Sequence, residues 1–491
     1  MTRGPFLFSE DTPMTNPIYI TTTIPYVNAP PHVGFALELV QADALARYHR
    51  LLGREVRFQT GTDENAFKNV LSARALGVPV RDFVDGNVGR FRELAERLSI
   101  SHDRFVRTTD PSHHAAVHEL LGRLRRSDVY ESSYRGLYCS GCEDFYLERD
   151  LLDGRICPDH RVPAVEISEQ NHFFRLSAYQ EQLQELISSR RLRIIPEARE
   201  TEVLQFIARG LTDISLSRDA ARSDGWGVPF PNDSSQVVYV WIDALVNYLT
   251  GLGFPCGDDF SRLWSGDGKR IHAIGKNVWK FHAIYWPALL LSAGLDVPTE
   301  IFVHGFLTNE GRKISKSTGG AADPNEYICT FGTDSVRYFL LRHVRPFEDT
   351  DFSERRLREA HNADLANGLG NLTSRLTTLC ASAEVDTPVF ERSEAPAGYH
   401  EAFAEYRFDA ALDVLWAEVR DLNRVISEER AWDDISAGRT IDARRKLAPL
   451  AARLRTLGHW LSPFLPSTAQ QIGQSLSGET VVKPRRLFER I

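Results

Sequence analysis

The sequence predicts an α/β protein: a parallel sheet built in two halves, split by an insertion and followed by an α-helical bundle. Three observations carry this reading. Residues 17–24 (PIYITTTI) are a β-branched run that breaks into the turn PYVNAPPHVG. Apolar residues then recur at helical spacing through ALELVQADALARYHRLLG, which ends on Gly53 as a helix cap would, before a second strand, EVRFQTG. Strand, turn, helix, strand is the βαβ unit of a nucleotide-binding sheet. The pattern returns late as strand RIHAIG (270–275), helix NVWKFHAIYWPALLLSAG and strand TEIFVHGF (299–306). From about residue 355 the Gly/Pro punctuation thins, and DLANGLGNLTSRLTTLCASA, DAALDVLWAEVRDLNRVISEE and ARRKLAPLAARLRTLGHWL read as amphipathic helices.

At 491 residues the chain is too long for one core, and length suggests two to four units. Hydrophobic residues at 42% and charged residues at 25% are ordinary for a globular protein. No window holds the roughly 18 uninterrupted apolar residues of a membrane span. The opening MTRGPFLFSEDTPM carries acids inside a short apolar run, which does not suit a secretory signal, so a cytoplasmic address is expected. The structured pattern starts at Met14, and residues 1–13 read as a loose extension. A net charge of −8 argues against a generally basic nucleic-acid coat, though not against local basic patches.

Three local patterns carry chemistry. His32-Val33-Gly34-Phe35 stands where the first strand meets the first helix, whose N–H groups and dipole would face a phosphate. Gly34 would let a ligand approach the backbone, and His32 could donate to a phosphate oxygen. Lys313-Ile314-Ser315-Lys316-Ser317 precedes Thr318-Gly319-Gly320. Only eight Lys occur in the chain, and four of them (Lys276, Lys280, Lys313, Lys316) fall in this late stretch. Two Lys in a Gly-bounded loop suit a clamp that neutralises charge on a leaving polyphosphate. Finally, Cys139-x2-Cys142-x14-Cys157-x2-His160 has the spacing of a tetrahedral Cys₃His zinc site. Four protein ligands close such a site, so its role would be structural. Cys256, Cys329 and Cys380 read as buried small side chains.

Taken together, the HVGF and KISKS segments, about 280 residues apart, resemble the paired signatures of class I aminoacyl-tRNA synthetases. The opening ITTTIPYVNAPPHVG, the acid of TGTDEN, the segment YVWIDALVNY and the zinc-knuckle stretch GLYCSGCEDFYLERDLLDGRICPDH are similar to the methionyl family. The resemblance runs from about residue 15 to 475. It implies a Rossmann-type catalytic domain with an inserted zinc knuckle, and ATP-dependent activation of L-methionine followed by transfer to the 3′ end of tRNA(Met). His32, Lys313 and Lys316 would be catalytic. ATP, with Mg2+, would be held by His32, Gly34, Phe35, Gly275, Lys276, Asn277, Lys313, Ser315 and Lys316. Asp63 would take methionine's ammonium group, with Ile24, Tyr26, Trp241, Ala244, Tyr248 and His282 as the side-chain wall. Asn371, Arg375 and Trp432 match the anticodon-reading positions, where an aromatic plane suits an unstacked base.

The sequence also departs from the family. Phe35 replaces the last His of the first signature, where it is expected to stack on adenine or fill space. Glu64-Asn65-Ala66 replaces the usual acid-His-Gly, Asn277 replaces the Asp of a Gly-Lys-Asp triplet, and Leu245 stands where Pro is frequent. Their clustering around ATP predicts a diverged second copy. Two rivals stand beside the main reading: a ligase of this fold passing the acyl group to a non-tRNA acceptor, and a non-catalytic tRNA-binding paralogue. The expected divisions are an extension (1–13), the first catalytic half (14–111), the insertion (112–225), the second catalytic half (226–354) and a helical anticodon-binding domain (355–491). With little chain after the bundle, a monomer is expected.

Overall fold

The computed structural model of the chain describes residues 16–139, 144–146, 148, 151–158, 161–309, 312–313, 323–389 and 394–491. Its centre is a six-stranded, wholly parallel sheet. The strands are β1 (Ile18–Thr22), β2 (Val56–Thr62), β3 (Arg104–Arg107), β4 (Arg193–Ile195), β5 (Lys269–Gly275) and β6 (Glu300–His304), in the order β3–β2–β1–β5–β6–β4. β1 is buried along its whole length, as a parallel strand covered on both faces must be. The chain order reverses between β1 and β5, and in open sheets of this kind ligands bind in the crevice outside the carboxyl ends of the strands at that point.

Four of the six strands were legible as apolar runs. The two edge strands were not: β3 (RFVR) is half charged and β4 (RII) is three residues long. β4 lies within the stretch read as insertion, so part of 112–225 belongs to the main sheet. The rest of that stretch includes an antiparallel sheet of Val129–Cys139, Asp144–Tyr146, Val165–Phe174 and Ile214–Ser215.

Helix α1 (Val33–Leu51) crosses from β1 to β2 and ends as expected, with Gly53 following Leu52 in the left-handed region at φ 77°. After residue 354 the long described elements are helices, among them Asn371–Ser382, Phe408–Glu429 and Thr440–Leu461. Phe408–Glu429 buries Phe408, Ala411, Leu412, Leu415, Trp416, Val419, Leu422 and Ile426, a three-to-four spacing that gives one apolar stripe. That stripe joins the core on the α1 face of the sheet without a break. A second core fills the opposite face, where β5, the helix Val240–Leu245 and the insertion meet.

One buried ion pair ties α1 to the tail. Arg337, fully buried, sits 2.8 Å from Asp43 of α1, and its guanidinium donates to the carbonyls of Phe464 (2.8 Å), Leu98 (3.1 Å) and Pro463 (3.0 Å). Asp43 also accepts from Ser101 N and Oγ and from Arg47. Burial alone would raise the Asp43 carboxyl, but the Arg337 and Arg47 guanidiniums and Ser101 hold it below the ordinary carboxylate range. Removing one partner of such a pair strands the other charge in the core. Arg337→Met should therefore cost about 3–5 kcal/mol, read as a lower urea midpoint.

Candidate active site

The crevice at the switch point is built from the end of β1 outward. Pro25 O accepts from Asp63 N at 2.9 Å, and Tyr26 and Asp63 form a parallel bridge, so the turn after β1 lies against the end of β2. His32 caps α1: its Nδ1 accepts from Gly34 N at 3.0 Å. A neutral ring with an accepting Nδ1 carries its hydrogen on Nε2, which gives His32 a donor. Gly34 has a reason the sequence did not reveal. A Cβ there would meet the His32 ring at 2.8–2.9 Å, so the glycine makes room for the cap itself.

Phe35 does not point to the crevice. It is buried edge-on against Phe91 at 5.2 Å between ring centroids, filling the core between α1 and the helix Val80–Arg97. Of the two roles expected for it, the geometry gives it the space-filling one. One turn on, Glu38 escaped the sequence reading. Its Oε1 accepts from Thr23 N (2.8 Å) and Thr23 Oγ1 (2.5 Å), and its Oε2 lies 2.8 Å from His304 Nε2, so one buried carboxylate joins α1 to the ends of β1 and β6.

Across the crevice, Gly275 ends β5. Lys276 donates to Asp349 at 2.7 Å and lies 4.8 Å over the Phe306 ring. Burial would raise Asp349, yet the Lys276 ammonium and the Phe306 N–H hold it below the carboxylate range. The backbone of Lys313 pairs with Thr308, in a strand whose other edge takes Thr350–Asp351. Ser315 and Lys316 lie outside the described residues.

The expected methionine wall assembles on Val240–Leu245 and the helix after β5. Trp241 stacks on Phe281 at 4.1 Å and tilts toward Tyr26 at 5.7 Å. Phe281, next to the expected His282, was not singled out in the sequence. His282 Nδ1 faces the Val278 carbonyl at 2.9 Å and must donate, so its Nε2 accepts from the Tyr248 hydroxyl at 2.7 Å. Tyr248 also stacks at 4.1 Å on His272, whose Nδ1 lies 2.7 Å from Thr21 Oγ1. Ile24 lies against Gly61 of β2, and Ala244 is buried on the Trp241 helix. Leu245 simply continues that helix into the core. Asp63 is buried and accepts from Asn65 N at 3.3 Å.

The Glu64-Asn65-Ala66 stretch is absorbed locally. Glu64, fully buried, takes both arms of Arg107 (2.8 and 2.7 Å) and is structural. Ala66 caps the next helix at φ −64°, where nothing demands glycine.

In the tail, Arg375 lies 5.0 Å over the Trp432 ring and donates to Ser427 at 3.0 Å, with exposed Asn371 one turn earlier on the same helix. Of the zinc quartet, Cys142 and His160 lie outside the described residues. Cys139 and Cys157 are fully buried. Cys139 pairs with Asp144 across a ladder, and Cys157 exchanges backbone hydrogen bonds with Val162 and Arg161, so each thiol sits at the root of a tight reversal. Among the described residues no group of three or more His, Cys, Asp or Glu is arranged to hold a metal, and no helix is long and apolar enough to cross a membrane.

A helix-capping His at the switch point, with an aromatic cluster beside a buried carboxylate, marks the crevice where open α/β enzymes bind their ligands. The family model described as tRNA synthetases class I (M) matches residues 18–166 and 160–377. The chain belongs to this family. It is 40% identical over 477 residues to a methionine–tRNA ligase of Nostoc sp., covering 93% of this chain and 89% of that one. It is 42% identical over 438 residues to one of Mycobacterium bovis, covering 85% and 83%. A crystal structure of Mycobacterium tuberculosis methionyl-tRNA synthetase bound by methionyl-adenylate aligns with a TM-score of 0.88 at 37% identity, over 96% of this chain and 100% of that one. The free-state structure of the same enzyme aligns with a TM-score of 0.81 at 35% identity, over 97% of this chain and 98% of that one.

The pocket has a pH signature. Burial pushes the His282 imidazole down to about 4, whereas an unfolded His titrates near 6.5. Between these values the unfolded chain binds the extra proton, so stability falls as pH drops from about 6.5 to 4. His282→Gln should remove that share of the loss, read as a smaller difference between urea midpoints at neutral and mildly acid pH.

Proposed function

We propose that this chain is a methionine–tRNA ligase that activates L-methionine with ATP and passes the acyl group to the 3′ end of tRNA(Met). The observation that carries the reading is the juxtaposition of the Tyr26–Trp241–Phe281 aromatic wall and the Tyr248–His282 pair with Asp63, at a switch point capped by His32. Polarisable thioethers favour aromatic walls. A buried carboxylate suits a primary ammonium group.

In this mechanism the methionine carboxylate attacks the α-phosphorus. The bond from that phosphorus to the bridging oxygen breaks, and pyrophosphate leaves. Mg2+ bound with the nucleotide would supply charge neutralisation on the phosphates. The chain's own contribution is positioning and electrostatics. Asp63 orients the amino acid, His32 Nε2–H donates to a phosphate oxygen at the α1 N-terminus, and Lys276, Lys313, Ser315 and Lys316 surround the nucleotide with Gly275 and Asn277. The 2′-OH of the terminal adenosine then takes the acyl group and AMP leaves. Arg375 and Trp432, already paired, with Asn371 beside them, would read the anticodon.

The two rival readings have less support. A ligase with a non-tRNA acceptor has no use for the Arg375–Trp432 pair, and a non-catalytic paralogue has none for the capped His32 and the Asp63 pocket. Cys139, Cys142, Cys157 and His160 would hold a structural zinc, which the two buried thiols at tight reversals suit. A cytoplasmic monomer divided near residues 112, 226 and 355 completes the reading.

The test is ATP–pyrophosphate exchange with each of the standard amino acids, followed by acylation of tRNA. Methionine alone should support exchange, and His32→Ala should lower it by about 10²–10³. Exchange with a different amino acid alone would sink the substrate assignment. Separately, metal analysis should find about one zinc per chain. Cys157→Ser should lower that content, whereas full zinc in this variant would remove Cys157 from the site.

A further inference from the structure

Asp63 is the end of a hydrogen-bonded chain that runs through the protein interior. Asn65 donates its backbone N–H to Asp63 Oδ1 at 3.3 Å, and its side-chain Nδ2 bridges Thr108 O (3.0 Å) and Asp243 Oδ2 (2.8 Å). The other Asp243 oxygen lies 2.6 Å from His113 Nε2, and both side chains are fully buried. His113 Nδ1 lies 2.9 Å from Thr250 Oγ1. Thr250 Oγ1 also lies 3.0 Å from Val246 O. The Asp243 carboxylate accepts. The ring therefore donates from Nε2 to Asp243, and Thr250 meets its other nitrogen.

Burying a carboxylate is costly even when it is hydrogen-bonded, so stability alone is a weak reason for Asp243 to lie here. Its position suggests another use. Asp243 lies on the Val240–Leu245 helix between Trp241 and Ala244, so the carboxylate that holds Asn65 rides on the element that carries the aromatic wall. Asn65 stands where the family's usual pattern has His.

We propose that His113, Asp243 and Asn65 form a positioning relay that fixes Asp63 against the side-chain wall, so that methionine's ammonium group and side chain are held in register. The relay rests on the methionine-activating reading. None of its three residues is among those assigned to ATP or to the reacting atoms. Its loss should therefore weaken methionine selectively.

The experiment measures KM for methionine and KM for ATP in pyrophosphate exchange, with methionine affinity by calorimetry as a readout independent of turnover. Asn65→Ala, which removes only an amide, should raise the methionine KM and Kd by about 10- to 100-fold. The ATP KM should move by less than about twofold. His113→Gln keeps one donor toward Asp243 and should fall between wild type and Asp243→Asn. If Asp243→Asn does not fold, Asn65→Ala and His113→Gln still decide the matter by the same ratio. Equal changes in both KM values, or an unchanged methionine KM in folded Asn65→Ala, would overturn the relay. Failure of the underlying reading shows earlier and differently: wild type itself would then give no methionine-dependent exchange and no calorimetric binding of methionine.

Discussion

Helix α1 is held at three points, and the rest of the molecule is arranged around that constraint. At its start, His32 folds its ring back onto Gly34 N. In its middle, Glu38 clamps Thr23 and His304. Toward its end, Asp43 pairs with Arg337, whose other bonds reach Leu98, Pro463 and Phe464. The helix can neither slide nor rotate without leaving a buried charge unpaired, and an orphaned charge costs far more than an unmade surface contact. Fixing α1 fixes the direction of its N-terminal N–H groups, and with them the place where a phosphate can sit.

The positions where this chain leaves its family's pattern follow one physical rule: each is satisfied by its neighbours. Phe35 trades a polar contact for packing against Phe91, Ala66 occupies ordinary backbone space, and Asn65 finds two acceptors. Beside Asn277, Lys276 donates to Asp349. Buried polar groups survive substitution only when the hydrogen-bond ledger still closes, and here it closes at each position described. Changes that had simply decayed would leave donors without acceptors.

Much of this was legible in the sequence. β1, α1, β2, β5 and β6 announced themselves through period and punctuation, and of the expected wall Trp241, Ala244 and Tyr248 share one segment, named through the family resemblance. What escaped had no local signal. β3 and β4 are edge strands too short or too charged to show a pattern. Glu38 looks like any acid on a helix until folding brings Thr23 and His304 to it. Asn65, Asp243 and His113 are separated by dozens of residues in the chain and meet only in the interior. Even Gly34 was legible as a residue but not as a reason, because the side chain it accommodates is two positions away.

The continuity of the core gives these local facts a longer reach. The apolar stripe of Phe408–Glu429 belongs to the same cluster as Phe35, Leu39 and the buried face of β1. Protein interiors are close-packed and transmit displacement rather than absorb it. Arg337 adds a directional link, since it binds the tail's Pro463 and Phe464 carbonyls and Asp43 through one rigid guanidinium. A shift of the tail helices therefore reaches α1 through both packing and charge, and from α1 it reaches His32. Arg375 and Trp432, proposed above to meet an RNA loop, stand on helices that pack into this cluster. The tail and α1 thus share one continuous core and one buried guanidinium.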